Sequence, residues 1–357
     1  MTELQALRDA YRQHKAALLA SLQAEGASTR GIHVLLRKFS RLADGLLTTL
    51  WQRAGLPPGL ALAAVGGFGR EQLFPHSDID VLVLLPTDLP APDTVREQVE
   101  AFIRSCWDAG LEIGSSVRSV EECLSEAAND VTVQTSLLEA RRVCGDAALF
   151  AQFEHQFGAQ LDPHAFLVAK TLEMRQRHTK HENTPYALEP NCKESPGGLR
   201  DLHLILWVAR AAGLGKRWDE LAHSGLATPY EVRQIQRNEA LLFLIRARLH
   251  AMAGRREDRL VFDLQTAVAE SFGYRSQTPE GARFPLRASE TLMRRYYWAA
   301  KAVTQLSQIL LLNIEERLNP PTQAPQPINA RFLDKNGLIE VASDDLYQRD
   351  PHAILET

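Results

Sequence analysis

Two aspartates one residue apart, Asp78 and Asp80, head an aliphatic run in GGFGREQLFPHSDIDVLVLL, Gly66 to Leu85. If that run begins a strand, side chains alternate across it. Both carboxylates then share one face, while Ile79 points into the core. Two carboxylates on one face repel unless a cation lies between them. Oxygen ligands of this kind suit Mg²⁺, which takes one or two carboxylates together with substrate phosphates. Gly66 and Gly67 fit the same chemistry. Without a Cβ, a turn there can bring backbone N–H groups close to phosphate oxygens. Arg70 can add charge-assisted bonds to a phosphate. Ser77 either donates a further hydrogen bond or shapes the turn. Each part alone is weak, since glycine turns before strands are commonly structural and most D-x-D pairs are solvated faces. Their combination in one stretch is what marks it.

A second unusual stretch is YALEPNCKESPGGLRDLHLILWVAR, Tyr186 to Arg210. Polar and turn residues run to Gly198, then an apolar helix begins. Asp201 falls in or near its first turn, where negative charge is favoured. Lys193 and Arg200 can reach a triphosphate across a cleft between domains. Alternatively, Arg200 and Asp201 form a structural ion pair that holds helix to loop. The residues alone leave both readings open.

The elements that must position these groups are readable from period. Residues 3–54 read as helix, with Val34, Leu35, Phe39, Leu42, Leu46, Leu50 and Trp51 on one stripe and Gly55 at its end. Leu60–Val65, Ile79–Leu85 and Leu111–Val117 are short apolar or β-branched runs and read as strands. A helix is expected over 93–110, and Ser119 with Glu122 makes a capping box for the next one. Beyond residue 145 the pattern is helical, with long apolar-periodic segments around 166–178, 202–213, 239–254 and 289–318. LNPPTQAPQP (Leu318–Pro327) reads as a linker. The last 30 residues offer no room for a core. The expected fold is α+β. Helices over 1–54 precede a small mixed-sheet domain over 55–145. An all-helical domain follows over 146–318, then a linker and the start of something further over 319–357.

Composition bounds the function classes. A length of 357 residues, 45% hydrophobic and 24% charged, suits a soluble globular chain of two or three domains. A net charge of −4 gives no bulk attraction to nucleic acid or an anionic membrane. Cys106, Cys123, Cys144 and Cys192 have no metal or redox spacing and read as free thiols in a reducing cytoplasm. No apolar run is long enough to span a membrane.

Strand, GG-x-G-R, loop, S-D-I-D and aliphatic strand together resemble the polymerase-β-like nucleotidyltransferases. Gly67 stands where that superfamily commonly has serine, which leaves the phosphate contact to backbone N–H. The superfamily usually needs a third carboxylate from a neighbouring strand, and the candidate is Glu112 in LEIGSSVRS. Taken with the second stretch, the chain is similar to the PII uridylyltransferase/uridylyl-removing enzyme family. The similarity continues through RARLHAMAGRREDRLVFDLQ (Arg246–Gln265), MRRYYWAAKAV (Met293–Val303) and DLYQRDPHAILE (Asp345–Glu356). It covers nearly all of the chain after about residue 30.

The resemblance implies transfer of UMP from UTP to a tyrosine of the PII nitrogen-signalling protein, with release of pyrophosphate and with Mg²⁺ or Mn²⁺ as cofactor. By the same resemblance, Asp78, Asp80 and Glu112 are the metal-binding and catalytic residues, and Glu112 helps to activate the attacking phenol. Gly66, Gly67, Arg70, Ser77, Lys193 and Arg200 are the expected nucleotide contacts, and no nucleic-acid or membrane partner is expected. Ser115 stands where the family's E-V-G-H-S-V-R has histidine, and RHTKHE (Arg177–Glu182) departs from its R-x-x-R-Y-G. Family members continue into a metal-dependent HD phosphohydrolase domain and two ACT domains, so the chain is expected to be the transferase part. His250 and Asp258 are read as helix-end and loop residues, not as the HD motif. The alternatives are an RNA nucleotidyltransferase of the CCA-adding type and a non-catalytic nucleotide-binding module.

Overall fold

The computed structural model describes residues 3–24, 29–88, 92–278, 285–320, 325–335 and 337–356. The helix expected over 3–54 is two helices, α1 (Glu3–Ala24) and α2 (Ile32–Ala54), with a 3-10 turn at Thr29–Gly31 before the second. Gly31 immediately precedes α2, and glycine costs about 1 kcal/mol relative to alanine inside a helix. Leu35, Phe39, Leu46 and Leu50 form the buried stripe of α2, whereas Val34 is exposed and lies off it.

The mixed sheet contains β1 (Ala61–Ala64), β2 (Ile79–Leu85), β3 (Ile113–Ser119) and β4 (Arg141–Gly145), in the order β3-β2-β1-β4. β2 and β3 are parallel, with Asp80 opposite Gly114; β1 runs antiparallel to both β2 and β4. The connections hold α3 (Gly66–Gly69), α4 (Pro92–Asp108), α5 (Val120–Asn129) and α6 (Val131–Leu138). The Ser119/Glu122 capping box forms at the start of α5. Asp130 caps α6 by accepting from the Thr132 backbone N–H at 2.6 Å.

The helical part comprises α7 (Ala147–Gln160), α8 (Pro163–Lys180), α9 (Leu199–Ala211), α10 (Trp218–His223), α11 (Pro229–Ala253), α12 (Phe262–Ser271) and α13 (Ala288–Leu318). α13 packs on α9, α11 and α12, and α8 packs on α9. One hydrophobic core runs from Tyr11 through the sheet to Ile314, so the N-terminal helices, the sheet and the helical part share it. Apolar burial across that shared core fixes the cleft described below.

Part of the linker, 321–324, lies outside the described residues. The final segment does pack, against expectation. β5 (Gln326–Pro327), β6 (Phe332–Lys335) and β7 (Leu338–Val341) form an antiparallel sheet, followed by α14 (Leu346–Arg349). Phe332, Leu346 and Ala353 bury against each other there, and Arg331 bonds Asp350 at 2.8 Å. Among the described residues, no helix is long and apolar enough to cross a membrane.

Candidate active site

β1 ends in extended backbone at Val65, whose N–H donates to the Asp80 carbonyl at 3.0 Å. The chain then turns through Gly66 and Gly67 above the head of β2. Gly66, Gly67, Arg70, Ser77, Asp78 and Asp80 all line one cavity of about 280 Å³. Asp78 precedes β2, and Asp80 is its second residue. Burial raises the Asp80 carboxyl above its usual range, and the neighbouring Asp78 raises it further; Lys193 and Arg256 oppose both. Gly114 leaves room for this carboxylate, because a Cβ there would lie 2.7 Å from Asp80 Oδ1.

Glu112 is not brought to this cavity. It stands one residue ahead of β3, where its carbonyl accepts from the Ile79 N–H at 2.9 Å. It lines a separate small cleft with Tyr11 and Lys15 of α1, and its charge helps to push the Tyr11 phenol up to about 12, after burial. Among the described residues, no three His, Cys, Asp or Glu side chains gather as a metal-holding group. The Asp78–Asp80 pair still fits a divalent cation. Two neighbouring carboxylates lining one cavity could hold a cation that completes its shell with substrate oxygens.

The helical wall brings Lys193 and Arg200 to the same cavity, together with Lys170, Arg246 and Arg256. Burial first, then Arg200 and Arg246, lower the Lys193 ammonium to about 8, with Glu194 and Asp258 opposing. Arg200 bonds Glu194 at 3.0 Å and does not pair with Asp201. Asp201 is instead buried under Arg177 at 2.7 Å, His178 at 2.9 Å and the Gly197 N–H at 2.7 Å. The RHTKHE segment thus supplies two of its partners. Gly197 has φ 76°, and a Cβ there would lie 2.2 Å from the Ala300 carbonyl oxygen of α13, so only glycine fits this turn.

Between the walls lies a buried cluster that the sequence did not reveal. Arg70 Nη1 and Trp207 Nε1 both donate to Glu139 Oε1. The Trp207 ring has Lys170 Nζ at 4.6 Å, Arg200 Cζ at 5.4 Å and Arg70 Cζ at 5.9 Å from its centroid, within cation–π range. His203, buried beside them, is kept neutral first by burial and then by Arg70 and Arg200. Arg246 donates to Asp258 at 2.5 Å and stacks 4.0 Å over Phe74. His250 also bonds Asp258, at 3.1 Å, and accepts from the His76 N–H across the wall. His250 and Asp258 are thus helix-end and loop residues, but they are joined. A larger pocket of about 510 Å³ between α5 and α8 has Asp162 as its one ionisable lining residue, so the chemistry belongs to the smaller cleft.

A small mixed sheet with a glycine turn and an aspartate pair, facing a cationic helical wall, defines an α+β nucleotidyltransferase fold. The family model described as GlnD PII-uridylyltransferase matches residues 165–311. The chain is 55% identical over 98% of its length to the bifunctional uridylyltransferase/uridylyl-removing enzyme of Cupriavidus pinatubonensis. It is 57% identical over 97% of its length to the Burkholderia mallei protein of that name. The chain belongs to the uridylyltransferase/uridylyl-removing enzyme family, and it spans 39% of the length of these two relatives.

Proposed function

We propose that the cleft transfers a uridylyl group from UTP to a tyrosine hydroxyl of the PII signalling protein, in the cytoplasm, with Mg²⁺ or Mn²⁺ as cofactor. One observation carries this reading. A single cavity holds the Asp78–Asp80 pair on one wall and Lys170, Lys193, Arg200, Arg246 and Arg256 on the other. That is the charge distribution a metal–triphosphate requires. The names of the family model and of the relatives support uridylyl transfer, and the family description names PII.

Asp78 and Asp80 would hold the divalent cation, which supplies positive charge for the phosphates and polarises the α-phosphorus. Gly66 and Gly67 let the phosphates approach the backbone. Lys193 and Arg200 bind the β- and γ-phosphates and stabilise the charge that develops on the leaving group. The acceptor oxygen bonds to the α-phosphorus as the bond from that phosphorus to the bridging oxygen of the β-phosphate breaks. Pyrophosphate leaves, and the hydroxyl proton passes to solvent. Glu112 lies outside the cavity and has no part in this step.

The test incubates the chain with PII, each labelled nucleoside triphosphate in turn and Mg²⁺, and then locates the label. UMP on a PII tyrosine with release of pyrophosphate is expected. Asp78→Ala should lower transfer on the order of 10²-fold or more with an unchanged circular dichroism spectrum. Wild-type labelling by Asp78→Ala would remove the metal assignment.

A further inference from the structure

The loop after α11, residues 254–261, lies along the 188–193 segment. Leu260 N–H donates to the Pro190 carbonyl at 2.9 Å, Cys192 N–H to the Asp258 carbonyl at 2.8 Å, and Arg259 Nε to the Glu189 carbonyl at 3.2 Å. Most of its charges pair on their own side of the cleft. Arg255 bonds Glu257 at 2.8 Å, Arg259 lies 3.4 Å from Glu189, and Asp258 is taken by Arg246 and His250. Arg256 differs. It reaches across the cleft, and its Nη1 donates to Asp78 Oδ2 at 2.8 Å, whereas Asp258 lies 3.8 Å from its Nε.

Both partners of this ion pair are about half exposed, at 51% and 52%, so the pair can open at little cost. The carboxylate that Arg256 engages is one of the two that hold the cation under the function proposed above. A guanidinium on Asp78 neutralises the charge that attracts the cation and repels the cation itself. The triphosphate reverses this balance, because it brings to the same cavity oxygens that a guanidinium binds in a bidentate manner.

We infer that Arg256 is a positioning residue that gates loading of the cleft. In the ligand-free protein it holds Asp78. When a nucleoside triphosphate enters with its cation, Arg256 moves from Asp78 to the polyphosphate. The anchored loop keeps it within reach of both. Cation alone then binds weakly, and cation with nucleotide binds well. This inference rests on the nucleotidyltransferase reading.

The experiment uses Mn²⁺ as probe and follows free Mn²⁺ by electron paramagnetic resonance, with the full chain as wild type, Arg256→Ala, Arg256→Lys and Asp78→Asn. Without nucleotide, Arg256→Ala should bind Mn²⁺ roughly two- to fivefold more tightly than wild type. With a non-hydrolysable UTP analogue present, the same variant should bind the analogue about tenfold more weakly, and Arg256→Lys should fall between. Misfolding weakens both affinities, so tightening for the metal separates gating from damage. Unchanged or weaker Mn²⁺ binding by Arg256→Ala overturns the gate. Tighter Mn²⁺ binding with unchanged analogue affinity overturns the move to the polyphosphate. If wild type binds no Mn²⁺ with or without the analogue, the nucleotidyltransferase reading fails as well. If Asp78→Asn loses Mn²⁺ while Arg256→Ala matches wild type, only the gate fails.

Discussion

The two walls of the cleft are built on different plans. The sheet wall is local. Gly66, Gly67, Ser77, Asp78 and Asp80 come from one short stretch and line the same cavity, with only Asp80 inside β2. The helical wall is assembled from α8, the 191–198 turn, α9, α11 and the loop after it. Its cations repel one another, and each is held by an acid: Lys170 by Glu173, Lys193 and Arg200 by Glu194, Arg246 by Asp258. The sheet wall needs backbone geometry, whereas the helical wall needs counter-charges. Substitutions of exposed sheet-wall acids should therefore cost chemistry and spare stability. Substitutions in the helical network should cost both.

Glu139 tests this division most severely, because it sits where the walls meet. It is buried, and it accepts from Arg70 of the sheet unit and Trp207 of α9 at once. Glu139→Ala leaves a largely buried guanidinium and an indole N–H without that partner. Breaking a buried pair costs about 3–5 kcal/mol, which for a chain of this size lowers Tm by roughly 10 °C. Asp78→Ala, by contrast, should leave Tm nearly unchanged, since its pair with Arg256 is solvent-exposed. Differential scanning calorimetry of the two variants checks the contrast. Equal losses would mean that the sheet wall also depends on its charges.

Lys193 comes next in size. With its ammonium lowered to about 8, it is charged at pH 7 and largely neutral at pH 9. A charged lysine binds triphosphate, so the KM for nucleotide should rise as pH increases through about 8. Lys193→Ala should raise KM about ten- to a hundredfold at pH 7 and much less at pH 9. Lys193→Arg keeps its charge over this range and should flatten the profile. A wild-type KM independent of pH between 7 and 9 would separate Lys193 from nucleotide binding.

The same contrast explains what the sequence disclosed. The glycine turn, the aspartate pair and the capping box at Ser119 are short-range patterns: the box forms as read, and the glycines and aspartates line one cavity, although β2 starts at Ile79 and leaves Asp78 just ahead of it. Lys193 and Arg200 stood out because charge precedes an apolar helix, and both reach the cleft. Glu112, one residue ahead of β3, lines a separate small cleft with Tyr11 and Lys15 of α1 and not the main cavity, a placement that depends on α1 and that no local pattern encodes. Lys170 carried no local mark, and Arg246 and Arg256 lay in a stretch that carried the family resemblance without any role assigned to them. Arg246 lies in a strongly apolar helical segment, and Arg256 sits in GRREDR, which has the composition of a solvated loop. Their convergence is a tertiary fact, set by the packing of α8 and α11 on α9, and no period encodes it. Glu139 is hidden likewise, since its partners lie 69 residues back and 68 residues on.

A buried acid away from the cleft sharpens the comparison further. Glu239 lies on α11, the helix that carries Arg246, but it faces α10 and the start of α2. Trp218 Nε1 donates to it at 3.1 Å, and His33 Nε2 lies 3.8 Å away. Burial pushes its carboxyl up to about 7, with Trp218 and Arg70 opposing. A folded-state value above the unfolded one means that protonation favours the fold. That stability is fully present below about 4.5 and is lost as pH rises through about 7. Burial also lowers His33 below its ordinary value, so its charge does not offset the acid at higher pH. Glu239→Gln keeps an acceptor for Trp218 and removes the charge. Its Tm should match wild type near pH 5 and exceed it by about 3 °C at pH 8, with nucleotide affinity unchanged. Equal melting at both pH values would show that the ionised carboxylate is tolerated there. The helical part would then hold a buried carboxylate without a charged partner, and the counter-charge rule would belong to the cleft wall alone.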